Sequence, residues 1–167
     1  MVPHVGQRDK RPPGRRALRR QFPWRSMAAR SLAQPSSAMS QAKRPRILVI
    51  DDEPLIGCLI VRVLGRGYDV ATVVHGQQGL DVLAADDKFD LVLCDLMMPG
   101  LTGMDVHAAL AQRGSRQAAT MIFLTGGAFV GHAGEFLARV PNPCLEKPFL
   151  AEELRAAVHN ALASPSR

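Results

Sequence analysis

The chain is 167 residues long, 47% hydrophobic, with a formal net charge of +6, the size of one domain plus an extension. The charge is a sum of unlike parts: residues 1–46 carry 12 Lys or Arg against Asp9 alone (+11), and residues 47–167 carry 9 against 14 acidic residues (−5). Three cysteines without a spacing pattern exclude a disulfide framework and fit a reducing cytosol, while no apolar stretch reaches the ~18 residues of a membrane span.

Residues 1–45 are rich in Arg, Pro and Ser and poor in large apolar side chains, so they should stay disordered. They lack the apolar region of a secretory signal. They read as a solvated tail, or as translated leader ahead of a start at Met27 or Met39. The alternatives are an arm for nucleic acid or an anionic membrane, or an organelle transit peptide.

From Arg46 on, short apolar runs alternate with helical patterns. Strands are predicted at Arg46–Ile50, Asp69–Val73, Leu91–Cys94, Met121–Leu124 and Cys144–Glu146. Helices are predicted at Pro54–Leu64, Gly76–Ala85, Gly103–Arg113, Phe129–Arg139 and Ala151–Ala163. Leu55, Leu59 and Val63, then Leu80, Leu83 and Ala84, have the spacing of amphipathic helices packed on a sheet. Pro54 suits a first helical turn, and Gly65 and Gly67 punctuate the end of that helix. Continuous apolar strands imply a parallel sheet covered on both faces. Five βα units give a flavodoxin-like doubly wound fold with strand order 2-1-3-4-5. Cys58, Cys94 and Cys144 fall in or beside apolar segments and read as small core residues. His75, His107, His132 and His159 form no ligand pair and read as surface or cap residues.

The strand ends carry the chemistry. Asp51 and Asp52 follow Ile47–Ile50, and Asp95 follows Leu91–Cys94 and opens the loop Leu96-Met97-Met98-Pro99-Gly100. Thr125 follows Met121–Leu124, and Lys147 follows Cys144–Glu146. The strand order brings the first and third ends together, so Asp51, Asp52 and Asp95 meet. Crowded carboxylates repel one another unless a cation is present. Mg²⁺, which takes hard oxygen ligands, suits them. A carboxylate held there can attack phosphorus, with Lys147 and Thr125 binding phosphoryl oxygens.

These segments resemble the receiver domain of two-component response regulators. The matching pieces are Ile47–Pro54, Leu91–Asp105, Phe123–Gly127 and Leu145–Phe149, and the similarity runs from Arg46 to Ala163. The resemblance implies that Asp95 is the phospho-acceptor. It implies that Asp52 ligates Mg²⁺ directly, that Asp51 acts partly through water, and that Met97 lends its backbone carbonyl. Thr125 and Lys147 correspond to the switch hydroxyl and the phosphate-binding lysine, and the Lys147–Pro148 bond is expected to be cis. Two positions depart from the family pattern. Cys144 stands where an aromatic switch residue is usual, and Gly126 stands where Ala is common. The stretch from Gly126 to Phe149 also resembles receivers attached to, or paired with, hybrid histidine kinases.

The expected protein is thus a cytoplasmic switch, not an enzyme, with a receiver over residues 46–163 and a short tail at 164–167. It takes a phosphoryl group from a histidine kinase or phosphotransfer protein onto Asp95. It signals through the face of the fourth helix, fifth strand and fifth helix, to an output protein or a second copy of itself. The four tail residues leave no room for an output domain. Two rivals are a degenerate receiver serving only as an interaction module, against which the complete acidic set argues though Cys144 gives it some room, and a haloacid-dehalogenase-like phosphatase. The latter wants a second Asp two residues after the nucleophile, where Met97 stands. A third, direct nucleic-acid binding, rests only on the basic extension.

Overall fold

The structure is a computed structural model and describes residues 43–127 and 132–163. The extension up to residue 42, the start of the fourth predicted helix and the 164–167 tail lie outside the described residues. In chain order the elements are β1 (Arg46–Ile50), α1 (Pro54–Leu64), β2 (Asp69–Val73), α2 (Gly76–Ala85), β3 (Leu91–Asp95), α3 (Gly103–Gln112), α4 (Arg116–Ala119), β4 (Met121–Thr125), α5 (His132–Leu137), β5 (Cys144–Glu146) and α6 (Ala151–Ala163). The strands form one parallel sheet in the order β2-β1-β3-β4-β5, the flavodoxin-like arrangement expected.

Strand alternation divides the core in two, because successive side chains point to opposite faces. Ile47, Val49, Leu91, Leu93, Ile122 and Leu124 face α1 and α6, where Ile60, Leu64, Leu154 and Val158 complete a fully buried cluster. Leu48, Ile50, Val92, Cys94, Met121 and Phe123 face the other way, onto Leu80 and Leu83 of α2 and Val106 and Leu110 of α3. Each large side chain so buried contributes about 1.5–3 kcal/mol. β1, β3 and β4 are buried along nearly their whole length, whereas β2 and β5, at the sheet's edges, are largely exposed. The expectation of continuously buried strands therefore holds for the inner three alone.

Several local expectations change in three dimensions. The buried stripe of α1 is Gly57, Ile60 and Leu64, with Val63 partly buried against the same cluster, whereas Leu55 and Leu59 turn outward. Leu55 is 81% exposed and Leu59 43%. The hydrophobic residues of α1 run almost all round it, so spacing alone did not choose the face. Of the cysteines only Cys94 is a core residue. Cys58 lies on the solvent side of α1, and Cys144 lies on the edge strand β5. His107 is not a surface or cap residue. It is half-buried, with its ring 5.8 Å from that of Phe123 and 5.5 Å from that of Phe136. The one-turn helix α4 had no periodic signal. Buried Gln117 holds it by donating to the carbonyls of Asp87 and Phe89.

Candidate functional site

β1 and β3 are parallel neighbours with Ile50 opposite Cys94. The next residue on each, Asp51 and Asp95, therefore leaves the sheet side by side at its carboxyl edge, where open α/β sheets bind ligands. Asp51 and Asp95 are buried and Asp52 is half-buried. One carboxylate oxygen from each lies within 4.8 Å of the others.

The residues after β5 close the group. Lys147 Nζ lies 2.7 Å from Asp95 Oδ2, 2.8 Å from Asp51 Oδ2 and 3.7 Å from Glu53 Oε1. Its backbone N–H donates to the Thr125 carbonyl at 2.6 Å, which ties the lysine to the end of β4. Thr125 itself is buried, with Glu146 opposite it on β5. The Lys147–Pro148 bond is cis. Cys144 pairs with Phe123 two residues before the end of β4 and is exposed.

The loop after β3 shapes the fourth side. The Met97 N–H donates to Asp95 Oδ1 at 3.0 Å, fixing one oxygen while Lys147 holds the other. Met98 packs inward, but Met97 is 61% exposed. Gly100 has φ +78°, a conformation that suits glycine. Gly103 starts α3 so close beneath Asp95 that a Cβ there would strike the Asp95 carbonyl oxygen and the Leu96 Cα. Thr102 and Asp105 form a reciprocal capping box at this helix end, which anchors the loop.

Burial pushes the Asp51 carboxyl up from its ordinary range; Lys147 and the Glu53 amide pull it down, and nearby Asp95 adds to the rise. Burial acts on the Lys147 ammonium in the other direction, lowering it. Its contacts with Asp51 and Asp95 outweigh that, and its pKa is raised. Lys147 is therefore firmly cationic, and Asp51 sits in an environment that resists its charge. Three carboxylates, those of Asp51, Asp95 and Glu53, share one ammonium. Asp51 Oδ2 is buried with no aligned hydrogen bond, although Lys147 Nζ approaches it in a charge contact. A buried oxygen of this kind calls for a further cation. The donor set is all oxygen, as a hard divalent ion prefers. The residues present fit Mg²⁺.

Residues 47–159 match the family described as "Response regulator receiver domain". The chain belongs to that family. Its receiver is 34% identical over 120 residues to the DNA-binding response regulator MtrA of Mycolicibacterium smegmatis, covering 71% of this chain and 51% of that protein. It is 28% identical to the sensor histidine kinase TmoS of Ectopseudomonas mendocina, over 74% of this chain and 12% of TmoS. Among solved structures it superposes on a receiver domain protein from Clostridium thermocellum with a TM-score of 0.63 and 32% identity, covering 71% of this chain and 94% of the other. The chain spans about half the length of several curated relatives it matches. No described helix is long and apolar enough to cross a membrane.

The receiver's five sequence-predicted side chains, Asp51, Asp52, Asp95, Thr125 and Lys147, all lie at one edge of the sheet. Sequence reasoning gave no role to Glu53, which reaches Lys147, or to the capping pair Thr102 and Asp105. The second was legible, because Thr-x-x-Asp before an apolar helix is a start signal.

Proposed function

We propose that residues 46–163 form a phospho-accepting receiver in which Asp95 takes a phosphoryl group from a phosphohistidine. The observation that carries this reading is the position of Asp95. It is buried at the end of a central strand, with one oxygen held by the Met97 amide and the other by Lys147. A purely structural aspartate at a strand end caps a turn; this one also shares a cation with two other carboxylate residues.

Asp51, Asp52, Asp95 and the Met97 carbonyl would hold Mg²⁺, with Asp51 acting partly through water. Bound Mg²⁺ would neutralise the crowded carboxylates and a phosphoryl oxygen. An Asp95 carboxylate oxygen attacks phosphorus. An O–P bond forms while the P–N bond to the donor imidazole breaks, and its electron pair returns to that ring, which takes up a proton. Lys147 transfers its contact from Asp95 Oδ2 to a phosphoryl oxygen, and the Thr125 hydroxyl donates to another. Thr125 is already buried beside the strand that carries Asp95, so a short inward movement suffices.

Phosphorylation adds about −1.5 to −2 charges. We place the output on α5, β5 and α6, the element group next to Thr125 and Lys147. That face is suited to docking a partner protein or a second copy, since α5 has no fully buried residue and β5 is an exposed edge. The donor approaches over Leu55, Met97 and Leu150, large hydrophobic residues left 60–81% exposed on the elements that bear the acids and Lys147. A cytoplasmic location agrees with three free cysteines.

The test is Asp95→Asn in the full chain, treated with a small phosphodonor and Mg²⁺. The parent should gain one acid-labile phosphate by intact mass, and the variant should gain none. Equal incorporation would remove Asp95 from the role.

A further inference from the structure

A second polar recess lies away from the acidic site. The end of α1, the turn into β2 and the middle of α6 enclose a cavity of about 530 Å³ lined by Arg62, Arg66, Tyr68, Arg155 and His159 over Leu64. β2 begins at Asp69, so the recess opens at the amino edge of the parallel sheet, opposite the edge where Asp51 and Asp95 emerge.

Its charge is unusual for this domain. Residues 47–167 carry nine Lys or Arg and sum to −5, yet three of the nine meet here. Among the described residues, none of the three guanidiniums has a carboxylate at ion-pair distance. Asp69, near in sequence, faces Arg46 at 3.6 Å instead, and Glu153 accepts from the Leu150 N–H. Arg62 suits the carboxyl end of α1 on dipole grounds alone, but that does not account for Arg66 in the turn or Arg155 in mid-helix. Converging like charges repel, and an anion between them reverses the sign.

We infer that this recess binds a small phosphorylated molecule carrying at least two negative charges. The guanidinium fork matches phosphate oxygens bidentately and also stacks on flat rings. Tyr68 and His159 add a hydroxyl and an imidazole, and Leu64 supplies an apolar floor against which a ring can lie. The volume falls in the range of small-molecule sites, about 300–1,000 Å³. A recess of that size fits a compact ligand such as a pyrophosphate or nucleotide better than a long polyanion, which needs an extended basic track.

The experiment is amide-resolved NMR on the isotope-labelled full chain, titrated with pyrophosphate and separately with ADP. Mg²⁺-free buffer at constant ionic strength keeps the acidic site repulsive to either anion. Saturable shifts are expected at Arg66, Gly67, Tyr68 and His159. Affinity should fall by about tenfold or more, equivalent to about 1.4 kcal/mol, in R62Q/R155Q. R62K/R155K, which keeps charge but not the fork, should fall between. All four substitutions replace exposed side chains, so the fold is retained, as an overlay of the remaining amides will show. The basic extension is the internal control. Shifts confined to residues 1–46, or equal affinity in parent and R62Q/R155Q, overturn the proposal. Labelling of Asp95 is not the readout, so this result stands apart from the phospho-acceptor reading.

Discussion

Asp51 illustrates how one residue is stable in its place only through its neighbours. Its carboxylate is buried, resists ionisation and shares Lys147 with Asp95. Asp51→Asn keeps the oxygen that accepts the Glu53 N–H and removes a charge that the fold tolerates poorly. In Mg²⁺-free buffer the variant should be more stable than the parent, by about 0.5–2 kcal/mol. Added Mg²⁺ should raise the parent's melting temperature and affect the variant far less, because binding to the folded state alone stabilises it. Thermal melts with and without Mg²⁺ report both effects. A variant that melts lower than the parent without metal would mean that the Lys147 contact outweighs the burial penalty. Asp51, Asp95 and Thr125 were legible in the sequence because each follows an apolar run directly, and Lys147 because it follows the short strand pattern Cys144-Leu145-Glu146 and precedes Pro148. Glu53 was not, since nothing in its spacing marks a side chain that will turn toward a lysine 94 positions later.

At the level of elements, close approach matters more than propensity. α3 begins against the backbone of Asp95, and only the absence of a Cβ at Gly103 allows it. Gly103→Ala should therefore cost about 1–3 kcal/mol through overpacking, although alanine is the better helix former. It should also weaken phosphate incorporation by displacing the Asp95 loop. Chemical denaturation and the mass assay test these together; an unchanged midpoint would show that the loop shifts freely. His107 links α3 to β4 and α5 through Phe123 and Phe136. Burial lowers its pKa, with the Asn142 hydrogen bond opposing. The unfolded chain, with an ordinary value of about 6.5, then binds the proton more tightly than the folded one. The stability due to neutral His107 is present above that value and lost as pH falls through the lower, folded pKa. Between about pH 7.5 and pH 5 the parent should lose more stability than His107→Leu. Parallel losses in denaturant titrations would show that His107 charges without penalty.

For the whole molecule the question is how a charge at Asp95 reaches a surface. If Asp95 is phosphorylated as proposed, then with Cys144 exposed and not aromatic the signal is expected to run through Thr125 and the Gly126-Gly127 segment. Gly127 has φ +136°, a conformation that leaves this segment free of side-chain constraint. Thr125→Ala should still permit labelling of Asp95 but should uncouple it from changes in α5. Hydrogen exchange over 132–140, with and without a phosphate mimic, measures this. A response equal to the parent's would assign the signal to another element.

The sequence by itself determined the strand order, most element bounds and the acidic constellation, because apolar runs ending in charged or hydroxyl residues encode strand and site in one pattern. It did not determine which face of α1 is buried, since Leu55, Leu59, Ile60 and Leu64 all qualify by hydropathy and only the packing of α6 beside β1 and β3 selects Ile60 and Leu64. Nor did it separate the three cysteines, alike in their apolar surroundings along the chain. Edge position exposed Cys144, helix rotation exposed Cys58, and the central strand buried Cys94. The cluster of Arg62, Arg66 and Arg155 was invisible for the same reason. Arg62 lies in the last turn of α1, Arg66 in the turn that follows, and Arg155 89 residues on from Arg66, so their meeting exists only once both helices pack on the same face of the sheet.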